Sequence, residues 1–231
     1  MRAFLVPIFF SVFLVACESG SKPEAALSPA PTSTEALIRV LDGLAAQDAD
    51  AVVALVDGGP KAQDFFVSMI ETFEAAEAFE TKFREAYGDQ AWEAFQAPLT
   101  AEERRPDANL KMADLPALRS AAEQWEGSEE NGGRFEGLPR LPLPFKEVAG
   151  GWVVDGAHIL PSEEALQGFT DTQRAMTSTV QRYMKAIGHE GISAEDIDYQ
   201  LGKEFLLLIM GGEFKSDGKP AYPDRFRVDE L

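Results

Sequence analysis

The chain has one cysteine, two histidines and far fewer basic than acidic residues, and each shortage removes a class of function. A single Cys cannot build an internal disulfide framework or a multi-cysteine zinc or iron–sulfur centre. Two His leave little for histidine-based ligation, so neither a metal nor a cofactor is expected. With 21 Lys and Arg against 39 Asp and Glu the formal charge is −18. Nucleic acid is therefore not an expected partner, because its phosphates call for clustered cations. Apolar residues are not scarce. They make up 45% of the 231 positions, ordinary for a folded protein and enough for a sizeable core.

The longest apolar run stands at the start: Met1-Arg2, a stretch from Ala3 to Ala16, then Cys17. A basic start, a short apolar segment and a small residue before the cut describe a secretory signal peptide over residues 1–16. The run is about 14 residues, short of the roughly 20 that a spanning helix needs. Pro7 also sits badly inside a helix. Leu14-Val15-Ala16-Cys17 resembles the bacterial lipobox, in which the Cys thiol receives a diacylglyceryl group before cleavage ahead of it. The resemblance implies a protein attached to a membrane through lipid on Cys17. Glu18 stands where Asp is the retention signal of enteric bacteria, which favours the outer membrane, with the domain in the periplasm or at the cell surface. Removing residues 1–16 takes away Arg2 alone and moves the charge from −18 to −19. Anionic head groups repel such a domain, so attachment falls to the lipid.

Residues 17–31 are the lipidated Cys and a Ser-, Pro- and Ala-rich tether, reaching roughly 20 to 40 Å. A single globular domain is expected over 32–212, with a possible subdivision at 160/161, then a charged surface tail over 213–231. Thr32-Ser-Thr-Glu35 is a capping box ahead of Leu37, Val40, Leu41 and Leu44 at helical spacing. Asp48 or Asp50 restarts a short helix with Val52, Val53, Leu55 and Val56, and Asp57-Gly-Gly-Pro60 breaks it. Phe66, Met69, Phe73, Ala76, Phe79 and Phe83 then mark a long helix ending near Gly88, opposite a face of glutamates. Trp92 and Phe95 face inward from a further short helix. Thr100-Ala-Glu-Glu103 is a second capping-box pattern. Leu115, Leu118, Ala122 and Trp125 fit another helical face, and the glycine-rich 127–137 stretch reads as a loop.

Leu143–Val148 and Trp152–Ile159 around Ala149-Gly-Gly151 read as a β-hairpin, its first strand held to a sheet edge by Pro142 and Pro144. Trp152, Val154, His158 and Leu160 are expected on one face of the second strand. Two helices close the chain. One covers Asp171–Ile187; the other is capped by Ser193-Ala-Glu-Asp196 and ends at Gly211-Gly212. The expected class is α+β, predominantly helical, with helices on a small antiparallel sheet near 143–160; the alternative is a mostly-α domain with one hairpin.

The helix, the short helix after Gln47-Asp-Ala-Asp50, and the late Gly150-Gly-Trp-Val-Val-Asp155 strand resemble the nuclear transport factor 2-like, ketosteroid-isomerase-like α+β fold over about Ser33–Leu160. That resemblance implies several long strands in a curved sheet, of which the sequence supports one hairpin and a possible strand at Arg134-Phe-Glu136. Folds of this type host isomerases, hydratases and binding modules alike.

Chemistry is hard to find. In enzymes of that fold an Asp, Glu or Asp–His pair works inside the cone, which points to Asp155 and His158. Three apart on a regular strand, they point to opposite faces unless Gly156 marks a bulge. Phe73, Phe79, Phe83 and Trp152 are the candidate lining of a pocket, although a packed core explains them more simply. His189-Glu190 lacks a second His for a zinc-protease motif, and Asp48-Ala-Asp50 lacks a calcium-loop spacing. The reading that follows is a lipid-anchored envelope protein acting as a binding or interaction module, with an envelope protein or a small apolar ligand as partner. The alternative is a small-molecule enzyme or carrier on the cone. No feature of the sequence sets an oligomeric state.

Overall fold

The computed structural model describes residues 26–96, 115–123, 143–210, 215–216, 219–220 and 223–231. Helices dominate, with a small three-stranded sheet, so the class is α+β and predominantly helical. The lipobox residues Leu14, Val15, Ala16 and Cys17 lie outside the described residues. So do the Thr100–Glu103 pattern, Trp125, the 127–137 stretch and the Arg134–Glu136 strand.

Helix α1 (Ser33–Ala45) starts where its capping pattern says. Thr32 Oγ1 accepts from the Glu35 amide at 3.1 Å, while the Glu35 carboxylate accepts from Arg39 Nε at 3.0 Å. Asp48 caps α2 (Ala49–Val53) by accepting from the Ala51 amide. That helix stops sooner than expected, because Val56 belongs to a strand, β1 (Val56–Asp57). Helix α3 (Gly59–Tyr87) has Pro60 in its first turn and Gly88 in the left-handed region just past its end. α4 (Asp89–Gln96) buries Trp92 and Phe95, and α5 (Leu115–Glu123) buries Leu115, Leu118 and Ala122.

The hairpin forms between β2 (Phe145–Val148) and β3 (Gly151–Asp155), with Ala149 and Gly150 as the turn. β2 is an edge strand, as Pro144 requires, but the sheet is mixed. Its order is β1-β3-β2, and β1 runs parallel to β3 with Val56 opposite Val154 and Asp57 opposite Asp155. β3 is the central strand, so Trp152, Val153 and Val154 are all buried instead of alternating. It also ends at Asp155: Gly156–His158 is a 3₁₀ turn, so His158 and Leu160 do not continue the strand face of Trp152 and Val154.

The segment read as tether is tied into the sheet before it ends. Ala30 and Trp152 exchange both backbone hydrogen bonds, at 2.9 and 2.7 Å, and the Ser28 amide donates to the Ala54 carbonyl at 2.6 Å. Ala30 is fully buried.

Helix α6 (Glu163–Tyr183) begins eight residues before the expected Asp171, because Ser162 caps it by accepting from the Ala165 amide. Helix α7 (Ala194–Met210) has a complete capping box. Ser193 Oγ accepts from the Asp196 amide, and the Asp196 carboxylate accepts from the Ser193 amide. Past it, Lys215–Ser216 (β4) pairs antiparallel with Lys219–Pro220 (β5), and Val228–Glu230 is a 3₁₀ turn.

The chain forms two compact units, each drawn from separate stretches of sequence. Among the described residues, 26–73, α5 and 143–171 form one, whose core includes Leu37, Leu41, Val56, Phe66, Phe73, Phe145 and Trp152. The second half of α3, α4, the remainder of α6, α7 and the C-terminal residues form the other, around Phe79, Phe83, Trp92, Tyr183, Ile197, Leu201 and Phe205. At about 100° per residue, Phe66, Met69 and Phe73 do not fall on one line with Phe79 and Phe83. Ala75 is accordingly buried with the latter pair, and Ala76, expected on the apolar stripe, is exposed.

Candidate functional site

The densest polar group that the sequence points to is built where two parallel strands stop. β1 and β3 both end in Val-Asp-Gly: Val56-Asp57-Gly58 and Val154-Asp155-Gly156. Their parallel register sets the two carboxyl side chains abreast at the carboxyl ends of neighbouring strands, a position where open parallel sheets commonly bind ligands. The two glycines let the chains turn away in contact. A Cβ on Gly58 would lie 2.7 Å from the Gly156 Cα, and one on Gly156 only 2.5 Å from the Ala62 Cβ.

Lys146 reaches this pair from the hairpin's other strand. It stands opposite Val153 in β2, which puts it on the same sheet face as Asp155 and Asp57. Its ammonium lies 3.1 Å from Asp57 Oδ2 and 3.2 Å from Asp155 Oδ1. Partial burial pulls the Lys146 pKa down, but the hydrogen bonds and charges of Asp57 and Asp155 outweigh it and hold the ammonium above the ordinary lysine value.

The 3₁₀ turn after Gly156 does for the sequence candidates what a regular strand could not. It swings His158 back so that Nδ1 sits 2.5 Å from Asp155 Oδ2. A carboxylate only accepts, so Nδ1 carries the proton that faces it, which leaves Nε2 as the nitrogen turned to solvent. Asp155 is 15% exposed and His158 68% exposed. The arrangement is an oriented imidazole at the surface, its carboxylate partner already engaged by Lys146. Chemically it can accept a proton or a hydrogen bond from something in solvent.

The aromatic candidates are not brought to it as a group. Trp152 and Phe73 are packed in one core, while Phe79 and Phe83 are packed in the other against Trp92 and Phe95, with ring centroids 4.9 to 6.3 Å apart. His189 lies on an exposed loop with Nδ1 3.2 Å from the Glu190 carbonyl, and Asp48 is a helix cap. Among the described residues no group of three or more His, Cys, Asp or Glu is placed to hold a metal ion. Asp57 and Lys146 were not among the sequence candidates. The repeated Val-Asp-Gly triplet is the one signal toward Asp57, whose place beside Asp155 is set by the strand register; Lys146 is reached only through its register opposite Val153.

Where the cone-shaped fold implies several long strands, the sheet among the described residues has three, of two, five and four residues. Comparison with family models, curated proteins and solved structures found no significant match to this chain.

Proposed function

We propose that the chain is an exported, lipid-anchored protein of the bacterial cell envelope, more specifically of the outer membrane, whose folded part is a binding or interaction module. The observation that carries this reading is Leu14-Val15-Ala16-Cys17, with the sole Cys of the chain at the end of a short apolar leader. Two features of the fold agree with it. Phe66, Phe73 and Trp152 are buried in one core and Phe79, Phe83, Trp92 and Phe95 in the other, and the imidazole nearest to a catalytic arrangement stands in solvent. Among the described residues no helix is long and apolar enough to cross a membrane.

The tie at Ser28 limits the geometry. Only the chain between Cys17 and Ser28 separates the anchor from the fold, which at full extension spans at most about 40 Å. The module thus works close to the membrane surface. The test is to follow Cys17→Ser by lipid labelling and cell fractionation. Loss of the label and a shift to the soluble fraction is the expected result; membrane retention without the label would overturn the anchor.

A second reading has one observation in its favour, the Asp155–His158 contact, and makes the module a small-molecule enzyme or carrier. It requires a substrate that approaches His158 from solvent.

A further inference from the structure

The most elaborated recognition in the described residues is between α7 and the end of the chain. Gln200 is 2% exposed on the core side of α7, and both halves of its amide are used by the C-terminal segment. Its Nε2 donates to Asp224 Oδ1 at 2.9 Å, and its Oε1 accepts from the Arg225 amide at 3.0 Å. Asp224 is also held by Lys203. The Arg225 guanidinium lies 4.2 Å over the Tyr199 ring and donates to Asp196 at 3.0 Å. Phe226 meets Tyr183 edge-on, Val228 is buried in the core of this unit, and Asp229 faces Arg182 at 3.6 Å. The segment expected to lie on the surface as a charged tail is instead read residue by residue.

We propose that this face of α7, with the end of α6, is a peptide-binding groove, filled in cis by residues 224–229. Its partner in trans is a segment of another protein that ends in a turn as Val228–Glu230 does and has the same succession: acid, base, aromatic, base, aliphatic, acid. The inference rests on reading the folded part as an interaction module and names the partner of that module. The physical argument is the kind of contact used. A buried amide that accepts from one backbone N–H and donates to the neighbouring carboxylate, one aliphatic plug and flanking charge pairs are contacts by which proteins hold short peptide segments. None of these contacts needs the covalent link to α7. The hold is also of an exchangeable kind. Val228 is the one apolar side chain of the segment that is fully buried, and the ion pairs are partly exposed and screened by salt. Local opening of such a segment lies well below global unfolding.

The test uses the full chain in detergent, with a protease site inserted between Tyr222 and Pro223, and a fluorescent peptide of residues 223–231. After cutting, the chain is expected to bind the peptide saturably, at least tenfold more tightly than the uncut chain does. A V228D peptide is expected to bind at least tenfold more weakly. Uncut Arg225→Glu, which loosens the segment without removing it, is expected to admit the wild-type peptide. Equal binding to cut and uncut chains would place the peptide elsewhere and overturn the groove. So would a cut chain that loses cooperative unfolding in place of accepting peptide, together with no peptide binding by Arg225→Glu. An uncut dimer dissolved by the cut would make a second copy the occupant and overturn the foreign partner. None of these outcomes touches the lipid labelling of Cys17, so the two readings fail separately.

Discussion

Gly58 and Gly156 stand backbone against backbone: a Cβ on Gly156 would lie 3.2 Å from the Gly58 Cα and 2.5 Å from the Ala62 Cβ. This contact joins the start of α3 to the turn that carries His158. Gly156→Ala is therefore expected to cost about 1–3 kcal/mol, because neither a helix nor a turn can give way without loss elsewhere. Denaturant midpoints measure it. The double variant with Ala62→Gly should recover part of the loss, less about 1 kcal/mol for a glycine inside a helix. An unchanged midpoint for the single variant would mean that the turn is free to move.

Gly151 answers to a different neighbour. Its φ is +140°, and a Cβ there would stand 2.2 Å from the Ala30 carbonyl oxygen. Gly151→Ala should push Ala30 off the sheet edge and break the two bonds it exchanges with Trp152, each worth about 0.5–1.5 kcal/mol. Hydrogen exchange reads this directly. The amides of Ala30 and Trp152 should lose protection while that of Val154, bonded to Leu55, keeps it. Retained protection at Ala30 would show that the segment is held by something other than this pairing.

Much of this fold is legible in the sequence where local chemistry decides it. Thr32, Asp48, Ser193, Pro60 and Gly88 each mark a helix end, because a cap or a fixed φ is a property of one or two residues. The apolar stripes of α1, α5 and α7 are legible for the same reason. What escapes is set by distant partners. Val56-Asp57 is too short to announce a strand and becomes one only against Val154. His158 looks like a strand residue until β3 ends at the Gly58–Gly156 contact. Val228 follows a charged stretch, and it is buried in a core with Tyr183, Ile197 and Leu201, all more than twenty-five residues away. Asp155 and His158 could be named from residue type, whereas Lys146 and Asp57 needed the register.

Lys146 is the cation that lets Asp57 and Asp155 stand abreast. Lys146→Met keeps much of the stem and removes the charge, leaving two carboxylates side by side. The expected loss at neutral pH is about 1 kcal/mol or somewhat more, since the ion pairs are only partly buried. The sign with pH separates this from a packing effect. Protonating one carboxylate relieves the repulsion, so the deficit should shrink as pH falls toward 4. Wild type depends on the opposite limb: with its pKa raised, Lys146 contributes its stability below the unfolded lysine value and loses it as pH rises through the folded one. Urea unfolding of both chains at pH 4.5 and 7 tests the point, and a pH-independent deficit would assign the loss to packing.

The C-terminal segment should open in acid. The hydrogen bonds from Ser193, then that from Arg225, hold the Asp196 carboxyl below the ordinary range, and Lys203 and Gln200 do the same for Asp224. A depressed folded pKa contributes stability that is present above the unfolded value, about 3.9, and lost as pH falls through the folded one. Between pH 6 and pH 3 the Arg225 amide, which donates to Gln200, should therefore lose protection beyond its intrinsic rate change. The Ile197 amide, bonded to Ser193 within the first turn of α7, should keep more of its protection. Asp224→Asn, which cannot titrate, should flatten the response of Arg225. If instead Arg225 and Ile197 lose protection together, the segment is part of this unit's cooperative core, and a groove that exchanges its occupant is not open to it.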